Sequence, residues 1–391
     1  MISYRLGDEH ETLRATVEEF ARDVVAPVIG GYYERQEFPY EIVARMGKMG
    51  LFGLPFPEEY GGMGGDYFAL CLALHELARV DSSVAITLEA GVSLGAMPIY
   101  LFGTQAQKQA WLPRLCAGER LAAFGLTEPG GGSDVTGGMR TTAKLTDGRW
   151  VIDGTKAFIT NAGTSITDFV TVLAITGQRH DGDKETSSIV VPAGTPGFTV
   201  GQKYSKVGWS ASDTRELSFD SCQVPEDHLL GERGRGYAQF LRTLDEGRIA
   251  IAALAAGLAQ GCVDESLSYV GQREAFGHQI GTYQSIQFKI ADMESRAAAA
   301  RLAWYHAAAK LVAGEPVKKD AAVAKLIASN AAMDNARDAT QIFGGYGFMN
   351  ESAVGRFYRD AKILEIGEGT SEVQRMVIAR QLGLPARGYT G

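Results

Sequence analysis

Apolar residues recur every three to four positions from Glu9 to about Cys116. Leu13, Val17, Phe20, Ala21 and Val24 keep to one face of a 3.6-residue repeat, and Ile42, Met46 and Met49 do so ahead of the breaker-rich PFPEEYGGMGGD. Further helical blocks are predicted at residues 67–79 and 83–102. Between about Leu121 and Gly231 the period drops to two. The runs RWVID (149–153), FVTVL (169–173), SIVV (188–191) and ELSF (216–219) are β-rich and separated by Gly, Pro, Asp and Asn, which predicts a small antiparallel sheet or barrel. No long helical pattern interrupts them, so a doubly wound sheet is disfavoured. From Tyr237 onward the helical period returns in alanine-rich segments such as IAIAALAAGLAQ, SRAAAARLAWYHAAAK and DAAVAKLIASNAAMDNA. Alanine has the highest helix propensity and lets helix axes approach closely, so these predict long helices packed as a bundle. The expected order is α, then β, then α, with boundaries at 1–120, 121–232 and 233–391.

Composition narrows the partners. With 391 residues, 45% hydrophobic and 21% charged, the chain has enough core for two or three domains. A net charge of -8 and a pI near 5.4 argue against nucleic acid, whose binders cluster Lys and Arg. Cys71, Cys116, Cys222 and Cys262 are scattered, with no C-x-x-C pair and no histidine at zinc-like spacing, so neither disulfides nor a metal is expected. The first twenty residues lack the apolar core of a signal peptide, and the apolar run 249–259 is too short to span a bilayer, so a cytoplasmic protein away from the membrane is expected. Ser133 has no His and Asp arranged to activate it, so hydrolase chemistry finds no support.

Five segments carry candidate chemistry. FGLTEPGGGSDVTGGMR (124–140) predicts an ordered loop with free N–H groups and the hydroxyls of Thr127, Ser133 and Thr136. It suits an anionic or heteroaromatic ligand, though a plain turn fits as well, and it matches neither a P-loop nor a Rossmann fingerprint. In KAFITNAG (156–163), Phe158 and Thr160 stand two apart and so share one face of a strand; an ordinary core Phe is the plainer alternative. Residues 273–288 end one helix and begin another, and QIFGGYGF (341–348) breaks the next with three glycines. ILEIGEGTSEVQR (363–375) seats Glu368 between Gly367 and Gly369.

Together these segments resemble the acyl-CoA dehydrogenase family. The series L-T-E-P-G-x-G-S-D, K-x-F-I-T-N, S-D-T-R before V-P, L-D-x-G-R, R-x-x-F-G, Q-I-F-G-G-x-G and Y-R-D-A-K-I-x-x-I-x-E-G-T-S-E-x-Q-R spans essentially the whole chain and is most like short-chain and branched-chain members. The resemblance implies an α+β multidomain fold with an N-terminal all-α domain, a middle antiparallel β-barrel-like domain and a C-terminal four-helix-bundle domain. It implies tightly bound FAD, an acyl-CoA substrate, an electron-transfer flavoprotein as acceptor, and a homotetramer. Carried over, Phe124, Leu126, Thr127, Gly132, Ser133, Phe158 and Thr160 would hold the flavin ring. Arg273, Phe276, Gln284, Gln341, Gly344 and Gly345 would meet the pyrophosphate and adenosine from another subunit, with Thr370 and Glu372 at the cofactor near the base. Ser133, Asp245, Arg248, Gly367 and Gly369 would touch the acyl-CoA.

Glu368 is then the expected α-proton base, with the β-hydrogen leaving as hydride to the flavin and trans-2-enoyl-CoA as product. A solvated carboxylate, at about 4.3, is too weak for this, so burial must raise it towards ambient pH. The flanking glycines let the backbone approach the substrate, so that the Glu368 N–H can face the thioester oxygen. Thr370 or Ser371 is expected to cap the next helix, the latter with Gln374 in capping-box spacing. Some relatives take their base from the position of Gly247; Glu246, about 100° round the helix, should project elsewhere. Many relatives carry Tyr where Gly367 stands, and its loss favours a branched or bulkier acyl group. The rival readings are a flavin-dependent oxidase using O2 and a non-catalytic flavin-bearing DNA-binding or scaffold relative.

Overall fold

The computed structural model describes residues 6–385. Helices form wherever the apolar stripe is continuous. α1 (Asp8–Phe20) passes through a π-helical turn, Ala21–Val25, into α2 (Ala26–Arg35), and α3 (Tyr40–Lys48) follows. α4 (Tyr67–Ala78) is capped by Asp66, and α5 (Ser82–Glu89) by Asp81, whose carboxylate accepts the N–H groups of Ser83 and Val84. A second π-helical stretch, Ala90–Ala96, joins α5 to α6 (Met97–Phe102), and α7 (Gln105–Cys116) starts from a Thr104–Gln107 capping box.

The middle region holds β1 (Leu121–Gly125), the one-turn α8 (Val135–Gly138), β2 (Thr142–Thr146), β3 (Arg149–Thr160), β4 (Thr167–Gln178), β5 (Lys184–Pro192), β6 (Phe198–Lys203), β7 (Thr214–Pro225) and β8 (Leu229–Leu230). They form one sheet in the order β6-β7-β3-β2-β4-β5-β8, with β1 added on β4. The sheet is mixed, because β1 and β2 both meet β4 in parallel while the other pairs are antiparallel. The period-two pattern fixes which residues face the core but not which neighbour a strand pairs with, so this mixture was not visible in it.

α9 (Gly236–Val270), a short hairpin of β9 (Glu274–Ala275) and β10 (His278–Gln279), α10 (Gln284–Val312), α11 (Lys318–Phe343), α12 (Ala353–Leu364) and α13 (Ser371–Gln381) complete the chain. α9, α10 and α11 pack on one another, with α12 and α13 against α11 and α4 against α9. Close approach needs small residues: a Cβ on Gly257 or Gly261 would lie 2.1 and 2.2 Å from the carbonyl oxygens of His75 and Arg79. The AAGLAQG segment therefore sets the α4–α9 spacing and with it the position of the part of α9 that carries Gly247 and Arg248.

Asp360, fully buried on α12, ties three regions together. Its carboxylate accepts from Tyr33 Oη (2.7 Å), Ser82 Oγ (2.7 Å) and the Trp209 N–H (2.6 Å). All four cysteines are buried free thiols. By length and composition Ser82–Phe102 and Gly236–Val270 could cross a membrane, yet 83% of each apolar window is buried inside the protein. Burial to that extent is what core helices of a folded protein show, since packed neighbours cover their apolar residues.

Candidate active site

Glu368 sits in the turn between α12 and α13. It adopts φ 53° and Gly369 φ 91°, so the acid itself, and not only a neighbouring glycine, is left-handed. A non-glycine residue there costs about 1 kcal/mol or more and persists only when its surroundings fix it. They do. Lys325 Nζ donates to Gly369 O (2.8 Å), Gln374 Nε2 donates to Gly369 O (2.8 Å) and Glu368 O (3.3 Å), and the Ser371 N–H reaches Glu365 O (2.9 Å). Thr370 is the cap, accepting the Val373 N–H at 3.3 Å. The Ser371–Gln374 capping box does not form, because Gln374 is drawn back to the turn carbonyls and Ser371 Oγ is left buried without a partner.

The residue as a whole is half-buried, but Glu368 Oε2 is shielded and has no hydrogen-bond donor. Burial pushes the carboxyl up to about 7, against the opposing pull of the neighbouring Glu89 carboxyl and the charges of Lys325 and Arg248. Lys325 is fully buried, and burial lowers its ammonium to about 8. On α9, Arg248 is 4% exposed and pairs with Asp245 at 2.5 Å; burial raises the Asp245 carboxyl. Gly247 faces Glu368 directly, whereas Glu246 turns away to Arg242 at 3.8 Å. A Cβ on Gly367 would meet nothing closer than Ile363 O at 3.5 Å, so no backbone contact demands glycine there.

The glycine-rich loop after β1 is pinned from beneath. Glu128 accepts the N–H groups of Arg140 (2.6 Å) and Thr141 (3.1 Å) and the Lys156 ammonium (2.8 Å), with Lys156 fully buried. The Ala157 N–H donates to Thr127 O at 2.8 Å, joining loop to β3. Phe124 is buried and stacks on Phe240 with centroids 4.0 Å apart, Leu126 and Thr127 are half-buried, and Gly132 and Ser133 are exposed. Phe158 is 64% exposed at φ 62°, and Tyr204 is its ring neighbour at 5.3 Å. Neither the core-Phe alternative nor simple alternation with half-buried Thr160 describes it, because a bulge between Lys156 and Ile159 re-aims the ring. An aromatic ring held outward beside an exposed glycine-rich loop fits a planar heteroaromatic ligand such as a flavin.

The second group lies at the far end of α9 and α11. Arg273 does not end a helix directly; it precedes the β9–β10 hairpin, whose turn residues Phe276 (φ 53°, 95% exposed) and Gly277 (φ 81°) are both left-handed. Gln284 opens α10 and is exposed. Tyr269 stacks on Phe343 at 4.1 Å, bringing this hairpin beside exposed Gln341, Gly344 and Gly345. No hydrogen bond or ring contact among the described residues joins this group to the loop at 126–133. His278 is exposed in the hairpin, and Glu372 is exposed on α13 with Arg375 at 3.9 Å. A cleft of about 610 Å³ elsewhere, between α1, α4, α9 and α10, brings together none of these residues. Sequence reasoning missed Glu89, Lys325 and the Glu128–Lys156 pair. For Glu89 and Lys325 the only sequence signal is a charge inside an apolar or alanine-rich helical run, as in ITLEAGV and AVAKLIA; Glu128 and Lys156 stand in separate motifs that nothing in the sequence joins.

Family models match nearly the whole chain: the acyl-CoA dehydrogenase N-terminal domain over residues 7–119, the middle domain over 123–222 and the C-terminal domain over 234–383. A probable acyl-CoA dehydrogenase of Bacillus subtilis is 46% identical over 97% of this chain and 100% of its own length. A short-chain specific acyl-CoA dehydrogenase of Clostridium acetobutylicum is 42% identical over 97% and 100%. Among solved structures, butyryl-CoA dehydrogenase from Megasphaera elsdenii superposes with a TM-score of 0.94 at 41% identity, covering 97% of this chain and 100% of the other. A chain from a study of the electron transferring flavoprotein of Acidaminococcus fermentans gives 0.94 at 40% identity, covering 97% and 99%.

Proposed function

The chain belongs to the acyl-CoA dehydrogenase family, and on that premise we propose that it oxidises a short acyl-CoA thioester to the trans-2-enoyl-CoA with FAD bound and Glu368 as base. The observation that carries this is the Glu368 carboxyl, placed near neutrality with Oε2 shielded and no donor supplied to that oxygen. A carboxylate so held is basic enough to take an α-proton made acidic by hydrogen bonds to the thioester oxygen, and dry enough to keep that proton from water. Lys325 and Arg248 favour its charged form before the proton arrives. The left-handed backbone at Glu368 and Gly369 supports a main-chain N–H that would face the thioester oxygen as it gains charge.

When bound, the flavin supplies the acceptor for the β-hydrogen and its electron pair. The loop residues Phe124, Leu126, Thr127, Gly132 and Ser133, with Phe158 and Thr160, would hold its ring, and Thr370 and Glu372 would lie at its edge near the base. Arg273, Phe276, Gln284, Gln341, Gly344 and Gly345 would hold the adenosine end on a neighbouring subunit of a homotetramer. Ser133, Asp245, Arg248, Gly367 and Gly369 would line the acyl-CoA path. The acceptor of electrons would be an electron-transfer flavoprotein, the subject of the study from which one similar chain comes, and the location cytoplasmic. The test is Glu368→Gln, which should bind FAD as the natural chain does yet lose flavin bleaching by substrate. Bleaching at the natural rate would refute the assignment.

A further inference from the structure

Glu89 is a charge-bearing residue with no evident reason to be where it is. It is 0% exposed, its carboxyl stands beside the Glu368 carboxyl and the Ser93 hydroxyl, and among the described residues neither of its oxygens closes a hydrogen bond. It closes α5 immediately before the π-helical stretch Ala90–Ala96, and such stretches re-aim side chains by offsetting the helical register. The carboxyl it faces is that of Glu368. Two carboxylates side by side in a dry site do not both ionise; they share a proton, and that proton makes the hydrogen bond that neither oxygen otherwise has.

Resting on the reading of Glu368 as base, we propose that Glu89 is a positioning residue that retains a proton and donates it to the Glu368 carboxylate, fixing the rotamer of the base and stabilising its charged form. The surrounding charges decide which partner holds the proton. Glu368 is faced by Lys325 from α11 and Arg248 from α9, whereas Glu89 is faced by Glu368 and the Ser93 hydroxyl and, among the described residues, by no cation. Ser93 is itself held by Tyr67 Oη at 2.9 Å, and Tyr67 is faced by Cys71, Glu89 and Glu246. The cations therefore favour charge on Glu368, and the proton stays on Glu89. During turnover the substrate α-proton passes to Glu368, the C–H electron pair stays on the α-carbon, and Glu89 keeps its own proton throughout.

The experiment uses the FAD-loaded enzyme and two readouts. One is the pH profile of kcat/KM with butyryl-CoA. The other is exchange of α-protons into deuterated water from a 3-thiaacyl-CoA, which has sulfur at the β-position, cannot lose a hydride and so reports on the base alone. Glu89→Leu removes the donated hydrogen bond, so the acid limb should move about one pH unit upward in both readouts, a roughly tenfold loss below the limb that recovers at high pH. Glu89→Gln keeps a donor, so its acid limb should stay in place. An unmoved or lowered limb in Glu89→Leu, or equal displacement in both variants, overturns the proposal. Should Glu89→Leu fail to fold, the isosteric Glu89→Gln decides alone, and a displaced limb there overturns it. Exchange that survives Glu368→Gln would overturn the base assignment itself, an outcome distinct from an unmoved limb with Glu368→Gln inactive.

Discussion

A Cβ built on Gly247 would lie 2.6 Å from Glu368 Oε2, so the α9 backbone and the carboxyl of the turn after α12 occupy one shared space. The contact is to the end of a side chain, and that side chain is hemmed in by Glu89, Lys325 and Arg248. Gly247→Ala should therefore displace the carboxyl and not the helix. The expected result is a kcat at least about tenfold lower with FAD content unchanged, since sub-ångström misplacement of a reacting group is costly. Steady-state kinetics and a flavin spectrum check this; a natural kcat would show that the carboxyl works from another position.

Burial of Glu368 has a consequence for stability. Its folded value of about 7 lies above the model-compound value of 4.5, so between these two pH values the folded chain holds more of this proton than the unfolded chain does. The stabilising contribution is complete below 4.5 and is lost as pH rises through 7. Glu368→Gln cannot ionise and escapes that loss, so relative to the natural chain it should gain stability from pH 5 to pH 8, by on the order of 1–3 kcal/mol. Thermal denaturation at both pH values measures it. A difference independent of pH would mean the carboxyl is solvated.

Lys325 is buried to hold Gly369 O and to face the base. Lys325→Met keeps the volume and removes both effects. We expect activity at pH 7 to fall at least about tenfold and to recover in part towards pH 9, because loss of the cation raises the pKa of the base. Folding should be little affected, since an apolar isostere avoids the desolvation of a buried ammonium. A pH-independent loss would assign Lys325 to holding the turn alone.

Gly367 has room for a side chain and no positive φ. Gly367→Tyr should fold, bind FAD and lower the isobutyryl-CoA to butyryl-CoA activity ratio by roughly tenfold, as a ring fills space beside the acyl group. A natural chain that already strongly prefers butyryl-CoA would count against the inference drawn from Gly367.

The order of helical and strand regions was legible because burial imposes a period on sequence. Leu13, Val17 and Phe20 lie along α1, and RWVID lies within β3. The glycine-rich loop was legible as a loop because glycine and proline exclude the alternatives. The outward aim of Phe158 was not, since it depends on a bulge that the pairing of β3 with β7 creates. Nor was the hairpin at Phe276, which residues 273–288 present as no more than a break between helices.

Sequence alone determined that an acid stands between two glycines before a capped helix, within a series of motifs resembling one enzyme family. Only the tertiary structure decided what that acid meets: Gly247 from α9, Lys325 from α11 and Glu89 from α5, the last 279 positions away in the chain. Local pattern records which residues avoid water. The ionisation of a carboxyl depends on which groups from distant segments replace that water, and that follows only once the helices have packed.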